Sequence, residues 1–354
     1  MWQPRLTRSA GTSTITTINQ PLWSTLVLSR RRLVATALAA PIAARAQVLS
    51  GGRPMRWVVP FPPGGQGDAI ARAWADAYTG ANRQTIVIDN RGGANGLLGI
   101  QAVKEAPVDG TVLGVFNISF FTALPLMMAR APYDPARDLT PIARLVTSTV
   151  LCCVTAERAK QRGWNNFRAL IEWAKKPGQR LTKGSAGNGG PAHLLIATIA
   201  RRTGADILHV PYRGGAPALT DLLGGQIDMA FDFMPALLPQ IASGRLVALA
   251  VGSHERSPLL PDVPGLGEFA DLGIGDLDLQ SWNALTGPAG MDAETVRAIG
   301  EGVKRGATPE LAARLKTSGL VLSISESAEA TRALIAADAP RWKEMVQVSG
   351  AKIE

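Results

Sequence analysis

The chain has 354 residues, 46% of them hydrophobic and 18% charged. That is enough apolar material for two packed domains and too much for a disordered chain. The formal net charge is +9, but six arginines and no acid fall within residues 1–46, and without them 31 basic residues face 28 acidic ones. No long basic run survives in the remainder, which argues against a nucleic-acid partner.

The first segment predicts export. Arg30-Arg31-Arg32 precede the apolar run 33–40, and Ala44-Arg45-Ala46 offers the small residues of a cleavage site. The run is too short to span a bilayer, which takes about 20 residues. Residues 29–34 resemble a twin-arginine signal and fit a general secretory signal equally well. We expect residues 1–46 to be a signal peptide, cleaved near Ala46, and the mature protein to work in the periplasm.

Beyond the leader, short apolar runs alternate with amphipathic stretches, the grammar of a mostly parallel sheet covered by helices. Residues 56–61 read as the first strand and 62–67 as a loop. Asp68 reads as the N-cap of a helix running from Ala69 toward Tyr78, with Ile70, Ala73, Trp74 and Ala77 at helical spacing. A strand at 85–88, a Gly-rich turn at 91–96 and a helix over 97–104 follow. Strands are expected at 112–115 and 146–154, with 132–135 irregular between them. The second half repeats the pattern: helix 166–175, strand 181–185, loop 186–191, helix 192–202, strand 207–212, helix 216–224, and strands 227–231 and 246–251. A strand around Trp282 leads to two C-terminal helices, 292–307 and 326–349.

Cys152 and Cys153 are adjacent within an apolar run. Neighbours on a strand point to opposite faces, so they read as two small buried hydrophobes and not as a disulfide. His193, His209 and His254 are scattered, with no carboxylates or cysteines at ligand spacing, so neither a metal nor a cofactor is expected.

Three Gly-rich loops, at 63–67, 92–96 and 187–190, each follow an expected strand and open an expected helix. Such a loop presents backbone N–H groups at the positive end of a helix dipole, a setting for an anion, although glycines also simply make tight turns. The nucleotide versions fail: residues 65–70 lack the third glycine of a dinucleotide fingerprint, and no Gly-Lys-Ser/Thr follows any loop. Hydrolase elbows and zinc-protease motifs are absent. Ser185 and His193 with Asp232 could in principle form a triad, but Ser185 stands in no nucleophile context. Asp68 and Asp232 divide between capping or turn roles and facing a ligand. Asn117 and Ser119 follow a strand, at the carboxyl end where α/β ligands sit.

These residues fall into an ordered set of blocks. Val58-Val59-Pro60-Phe61-Pro62-Pro63-Gly64-Gly65 with Asp68 is the first, and Asp89-Asn90-Arg91 with Gly93, Gly96 and Gly99 the second. Pro132-Tyr133-Asp134-Pro135 with Asp138-Leu139 and Pro141-Ile142 is the third, and Ser185-Ala186-Gly187-Asn188-Gly189 with Pro191, His193 and Leu194 the fourth. His209-Val210-Pro211-Tyr212-Arg213-Gly214 runs on to Gln226-Ile227-Asp228 and Phe231-Asp232, and Leu260-Pro261-Asp262-Val263-Pro264 precedes Trp282 and Pro288-Ala289-Gly290. In order and spacing, over nearly all of residues 55–354, the chain resembles the Bug family, the periplasmic receptors of tripartite tricarboxylate transporters.

The resemblance implies an α/β, periplasmic-binding-protein-like fold: two lobes joined by two crossovers that close like a flytrap. Residues 47–151 with 252–354 would form one lobe and 152–251 the other. It implies a monomer without cofactor, whose partners are membrane transporter subunits and a small organic acid: a di- or tricarboxylate, an acidic amino acid or an aromatic acid. The ligand would be held by Phe61, Pro63, Gly64, Gly65, Gln66 and Asp68 from one lobe. Ser185, Ala186, Gly187, Asn188, Gly189, His193 and Asp232 would face it from the other, with Asn117 and Ser119 near the crossover. The chain departs from the family where Gln66-Gly67 replaces a usual Ser-Thr and where Gly190-Pro191-Ala192 lacks the usual hydroxyls. Phe120 and Phe121 add aromatic bulk, which points weakly to a ligand with an apolar body. A sensor partner of a two-component system, or a hydrolase or isomerase on the same lobes, are the alternatives.

Overall fold

A computed structural model describes residues 53–353, so the expected signal peptide lies outside the described residues. Strands β1 (Met55–Val59), β2 (Ile86–Asn90), β3 (Val112–Asn117), β4 (Leu139–Ser148), β10 (Ser281–Pro288) and β11 (Leu320–Leu322) form the first sheet. Their order is β11-β4-β10-β3-β1-β2. Strands β5 (Val150–Thr155), β6 (Leu181–Ser185), β7 (Ile207–Pro211), β8 (Met229–Phe233) and β9 (Leu246–Val251) form the second, in the order β7-β6-β8-β5-β9.

The sheets are mixed, not mostly parallel. β1 runs parallel to β2 and β3, and β6 runs parallel to β7 and β8. β10 is antiparallel to β3 and β4, and β5 is antiparallel to β8 and β9. The reason is topological. β5 and β10 are the strands that enter each sheet directly after a crossing, so they start at the cleft end and run away from it. The expected strand at 146–154 is two strands for the same reason: β4 ends at Ser148, and β5 begins at Val150 in the other sheet. The apolar run is continuous because both strands are buried. Between them the Thr149 hydroxyl donates to the Leu279 carbonyl at 3.0 Å, joining the outgoing crossing to the returning one.

Helices α1 (Gln66–Asn82), α2 (Leu97–Lys104) and the short α3 (Pro135–Asp138) belong to the first sheet's segments. The segment expected to be irregular thus leads into a helical turn capped by Asp134, whose carboxylate accepts from the Ala136 amide. α4 (Ala156–Arg162), α5 (Phe167–Ala174), α6 (Pro191–Thr203), α7 (Gly215–Leu223) and α8 (Met234–Ala242) flank the second sheet. The C-terminal region holds α9 (Ala293–Gly306), α10 (Pro309–Thr317) and α11 (Ala328–Ser349). α10 and the three-residue β11 were not expected; α10 buries only Leu311 and Leu315, too short an apolar signal to read unaided.

Packing follows the strand alternation. Trp57 and Val59 of β1 meet Ile70, Trp74 and Tyr78 of α1 in one core, with Trp57 edge-on to Tyr78 at 5.5 Å between ring centres. Cys152 faces the core beneath α5 and α6, whereas Cys153 faces the one beneath α7 and α8, as opposite sides of a strand require. Both thiols are free and fully buried. α11 packs on β4 of the first sheet and on α6 beside the second, so the last helix straddles both.

Candidate functional site

The loops that leave β1, β3, β6 and β8 converge on one cavity between the two sheets. Water centres fit within about 90 Å³ of it, against roughly 10–15 Å³ for a single water, so there is room for a small organic molecule.

On the first side, α1 begins at Gln66 with Gly65 as its extended N-cap, and no side chain caps it. This corrects the reading of Asp68 as N-cap. Asp68 sits one turn inside and reaches back to the Gly64 amide at 3.0 Å, while Arg72 and Asn90 donate to its other contacts. Burial pushes its carboxyl up, but the hydrogen bonds from Arg72, Gly64 and Asn90 outweigh that and hold it below the ordinary value of 3.8. Asp68 and Gly64 therefore stiffen the loop from behind and do not line the cavity. Gln66 does line it, and its amide donates to the Ser148 hydroxyl at 2.6 Å, tying the loop to the end of β4. Phe61 and Pro63 also line it, with Phe61 tilted against Phe120 at 5.9 Å.

Asn117 and Ser119, both buried, form part of the floor. The Asn117 carbonyl accepts from the Ser119 amide and hydroxyl, which fixes the turn after β3. Phe120 continues into the lining, whereas Phe121 turns away and stacks on Trp282.

On the second side, Ser185, Ala186, Gly187, Asn188, Gly189 and His193 all reach the cavity. α6 starts at Pro191 behind Gly190, again without a side-chain cap. The Ser185 hydroxyl lies 2.9 Å from the Gly187 carbonyl and 2.5 Å from His209 Nε2. Its single proton goes to the carbonyl, which can only accept, so His209 Nε2 carries a proton and donates to Ser185. His193 Nδ1 accepts from the Gly189 amide at 2.9 Å, and the two imidazoles stack at 3.8 Å. Burial, with Lys183 nearby, pushes His193 down to about 4 and His209 to about 2, so both are neutral. Asp232 lines the cavity with one oxygen on the Phe233 amide and the other beside Gly215, and burial raises its carboxyl. The triad of Ser185, His193 and Asp232 therefore does not form: the serine faces a donor, and the aspartate hydrogen-bonds the Phe233 amide and neither imidazole.

The third Gly-rich loop does something else. Asn95 takes a left-handed conformation (φ 56°), one asparagine tolerates, and its carbonyl accepts from the Asn188 amide across the cleft at 3.3 Å. Loop 92–96 is thus hydrogen-bonded across the cavity to the loop after β6. Several loop amides are consequently spent inside the protein: Gly64 on Asp68, Asn188 on Asn95, Gly189 on His193. Those of Gly65, Gln66 and Gly67 on one side and Ala192 on the other stand at the uncapped starts, and Ala186 lines the cavity from the loop after β6.

Among the lining residues that the sequence reading did not assign to the ligand are Asn95, Leu124, Arg213, Phe233 and Asn283. Arg213 was in a recognised block and is exposed at the rim. Asn283 stands opposite Asn117 on β10, with its carbonyl oxygen buried and unpartnered, a neighbour only the sheet order reveals. Among the described residues no helix is long and apolar enough to cross a membrane, and no group of three metal-binding side chains occurs.

The model of the tripartite tricarboxylate transporter family receptor matches residues 70–351. Protein BugT of Bordetella pertussis is 35% identical over 328 residues, covering 91% of this chain and 96% of BugT. The structure of periplasmic binding protein BugD superposes with a TM-score of 0.77 at 31% identity, over 85% of this chain and 98% of BugD. R. palustris Rpa4515 with adipate superposes with a TM-score of 0.78 at 28% identity, over 86% and 99%. The chain belongs to the tripartite tricarboxylate transporter receptor family and has its two-lobed solute-binding fold.

Proposed function

We propose that this protein is a periplasmic receptor that captures a small organic carboxylate and passes it to the membrane subunits of a tripartite tricarboxylate-type transporter. The observation that carries the reading is the pair of uncapped helix starts, at Gly65-Gln66-Gly67 and at Gly190-Pro191-Ala192, turned onto one cavity from two sheets. Backbone amides at a helix N-terminus favour a carboxylate, and each hydrogen bond to a charged group contributes about 1.5–3 kcal/mol. Three such bonds reach roughly the 8 kcal/mol that corresponds to micromolar affinity. Adipate in Rpa4515 supports the ligand class. Phe61, Phe120, Leu124 and Phe233 favour an apolar body between polar ends.

Closure in this reading pivots at Thr149 and at the return between β9 and β10, with the Asn95–Asn188 bond formed on closing. The Arg-rich leader supports export to the periplasm. Binding without turnover is favoured because Ser185 faces a donor instead of a base. Isothermal calorimetry of the mature protein against dicarboxylates, acidic amino acids and aromatic acids tests the proposal. Saturable heat from at least one acid is expected, and silence across all three classes would sink it.

A further inference from the structure

Beneath the second loop lies a charged side chain that the grip described above does not use. Lys183, on β6, is fully buried. It shares its strand face with Ser185, two residues on, which lines the cavity. Its Nζ donates to the Ala192 carbonyl at 3.2 Å, in the first turn of α6, and Ala192 also lines the cavity. Among the described residues no carboxylate lies within ion-pair distance of this amine. An ammonium has three donors, and one is matched here.

Every element packed around it carries a titratable group. His209 of β7 stands opposite Lys183 in register, and His193 of α6 stacks on His209. Cys152 lies on β5 and Asp232 on β8. The imidazoles are neutral and burial holds the Cys152 thiol protonated, so Asp232 is the one group there able to answer a positive charge, and it does so without contact. A buried ammonium lacking a partner is costly, and an anion above it removes that cost.

We propose that Lys183 is the buried positioning cation of the ligand site: an anion entering at the start of α6 supplies its missing counter-charge, and Lys183 takes up a proton from solvent as the anion binds. The inference rests on the carboxylate reading above. Burial pushes the Lys183 amine down to about 7, opposed by Asp232 and Cys152. A bound anion raises it again, so at a pH between the two values binding consumes a proton, and affinity weakens as pH rises, by up to about tenfold per unit.

Calorimetry of the wild-type protein with its tightest acid, repeated in phosphate and Tris, reads proton uptake directly from the difference in apparent enthalpy. Roughly half a proton per ligand is expected at pH 7, and more at pH 8. Lys183→Met should bind more weakly with uptake near zero, and a thermal melt shows whether it is folded. Binding without proton uptake from pH 7 to 9 would overturn the proposal while leaving the carboxylate reading intact, whereas binding of no acid removes both. Uptake confined below pH 7 would assign the proton to the histidines and overturn it as well. Uptake retained in folded Lys183→Met would do the same. The wild-type buffer series decides the matter even if the variant does not fold.

Discussion

Placing a negative charge at position 65 tests the anion site with little structural disturbance. Gly65 is extended (φ −88°, ψ 178°), a conformation any residue adopts, and a Cβ built on it meets nothing within 4 Å. Gly65→Asp therefore fits the backbone while projecting a carboxylate toward the first-turn amides of α1. Two like charges about 5 Å apart in a half-buried site, at an effective dielectric constant near 20, repel by roughly 3 kcal/mol. That corresponds to an affinity loss of more than about 100-fold. Gly65→Ala tests the added Cβ alone and should stay within a few-fold of wild type, whereas Gly65→Asn can cap the same amides without the charge and should fall between the two. The assay is calorimetric titration with the tightest acid found for the parent, beside a thermal melt of each variant. A folded Gly65→Asp protein that binds within threefold of wild type would remove this loop from the site.

Three further outcomes follow from the geometry. Asn95→Gly removes the carbonyl that accepts from Asn188 while keeping the left-handed backbone free of strain. One hydrogen bond is worth about 0.5–1.5 kcal/mol, so ligand release in stopped flow should quicken by roughly 3- to 10-fold, and an unchanged rate would speak against a closing contact. Asp68 is held below its ordinary value, so its contribution to stability is present above about pH 4 and is lost as pH falls through the folded value. Asp68→Asn should melt lower than wild type at pH 7, with the gap narrowing by pH 3; a constant gap would mean that ionisation is not the source. Cys152 and Cys153 are fully buried with their thiols pushed up by burial, so an aromatic disulfide reagent at pH 8 should label neither until the protein unfolds. Labelling faster than the measured unfolding rate would contradict that burial.

The two sheets, the flanking helices and the two facing loops were readable because each leaves a local mark. Val58-Val59 is a buried strand, Gly65 and Gly190 punctuate helix starts, and the apolar spacing of Ile70 and Trp74 gives α1 its inner face. What escaped depends on partners distant along the chain. Asp68 is as good a cap by type as any, but Gly64, Arg72 and Asn90 claim its oxygens, and Asn90 arrives on the neighbouring strand. His209 was one of three scattered histidines until β7 placed it beside Ser185. Lys183 looked like an ordinary charged residue at a strand position, because nothing in its own segment says that α6 will cover it. Strand direction was misread for a similar reason: composition does not record from which side of the cleft a strand enters.

The placement of β10 between β3 and β4 also sets a timetable. The second sheet is contiguous, complete by Val251, whereas the first keeps an open gap at its centre until residues 281–288 have been made. At a synthesis rate of about 5–20 residues per second, the stretch from Ser148 to Ser281 takes roughly 7–27 seconds. During that interval β3 and β4 have no shared neighbour, and the segments that will hold them stay unclosed. Were the chain to cross a membrane unfolded, as one route of the proposed export would have it, the part made first would stay threadable longest. The strand that brings Asn283 to the cavity is thus also the one that closes the first sheet.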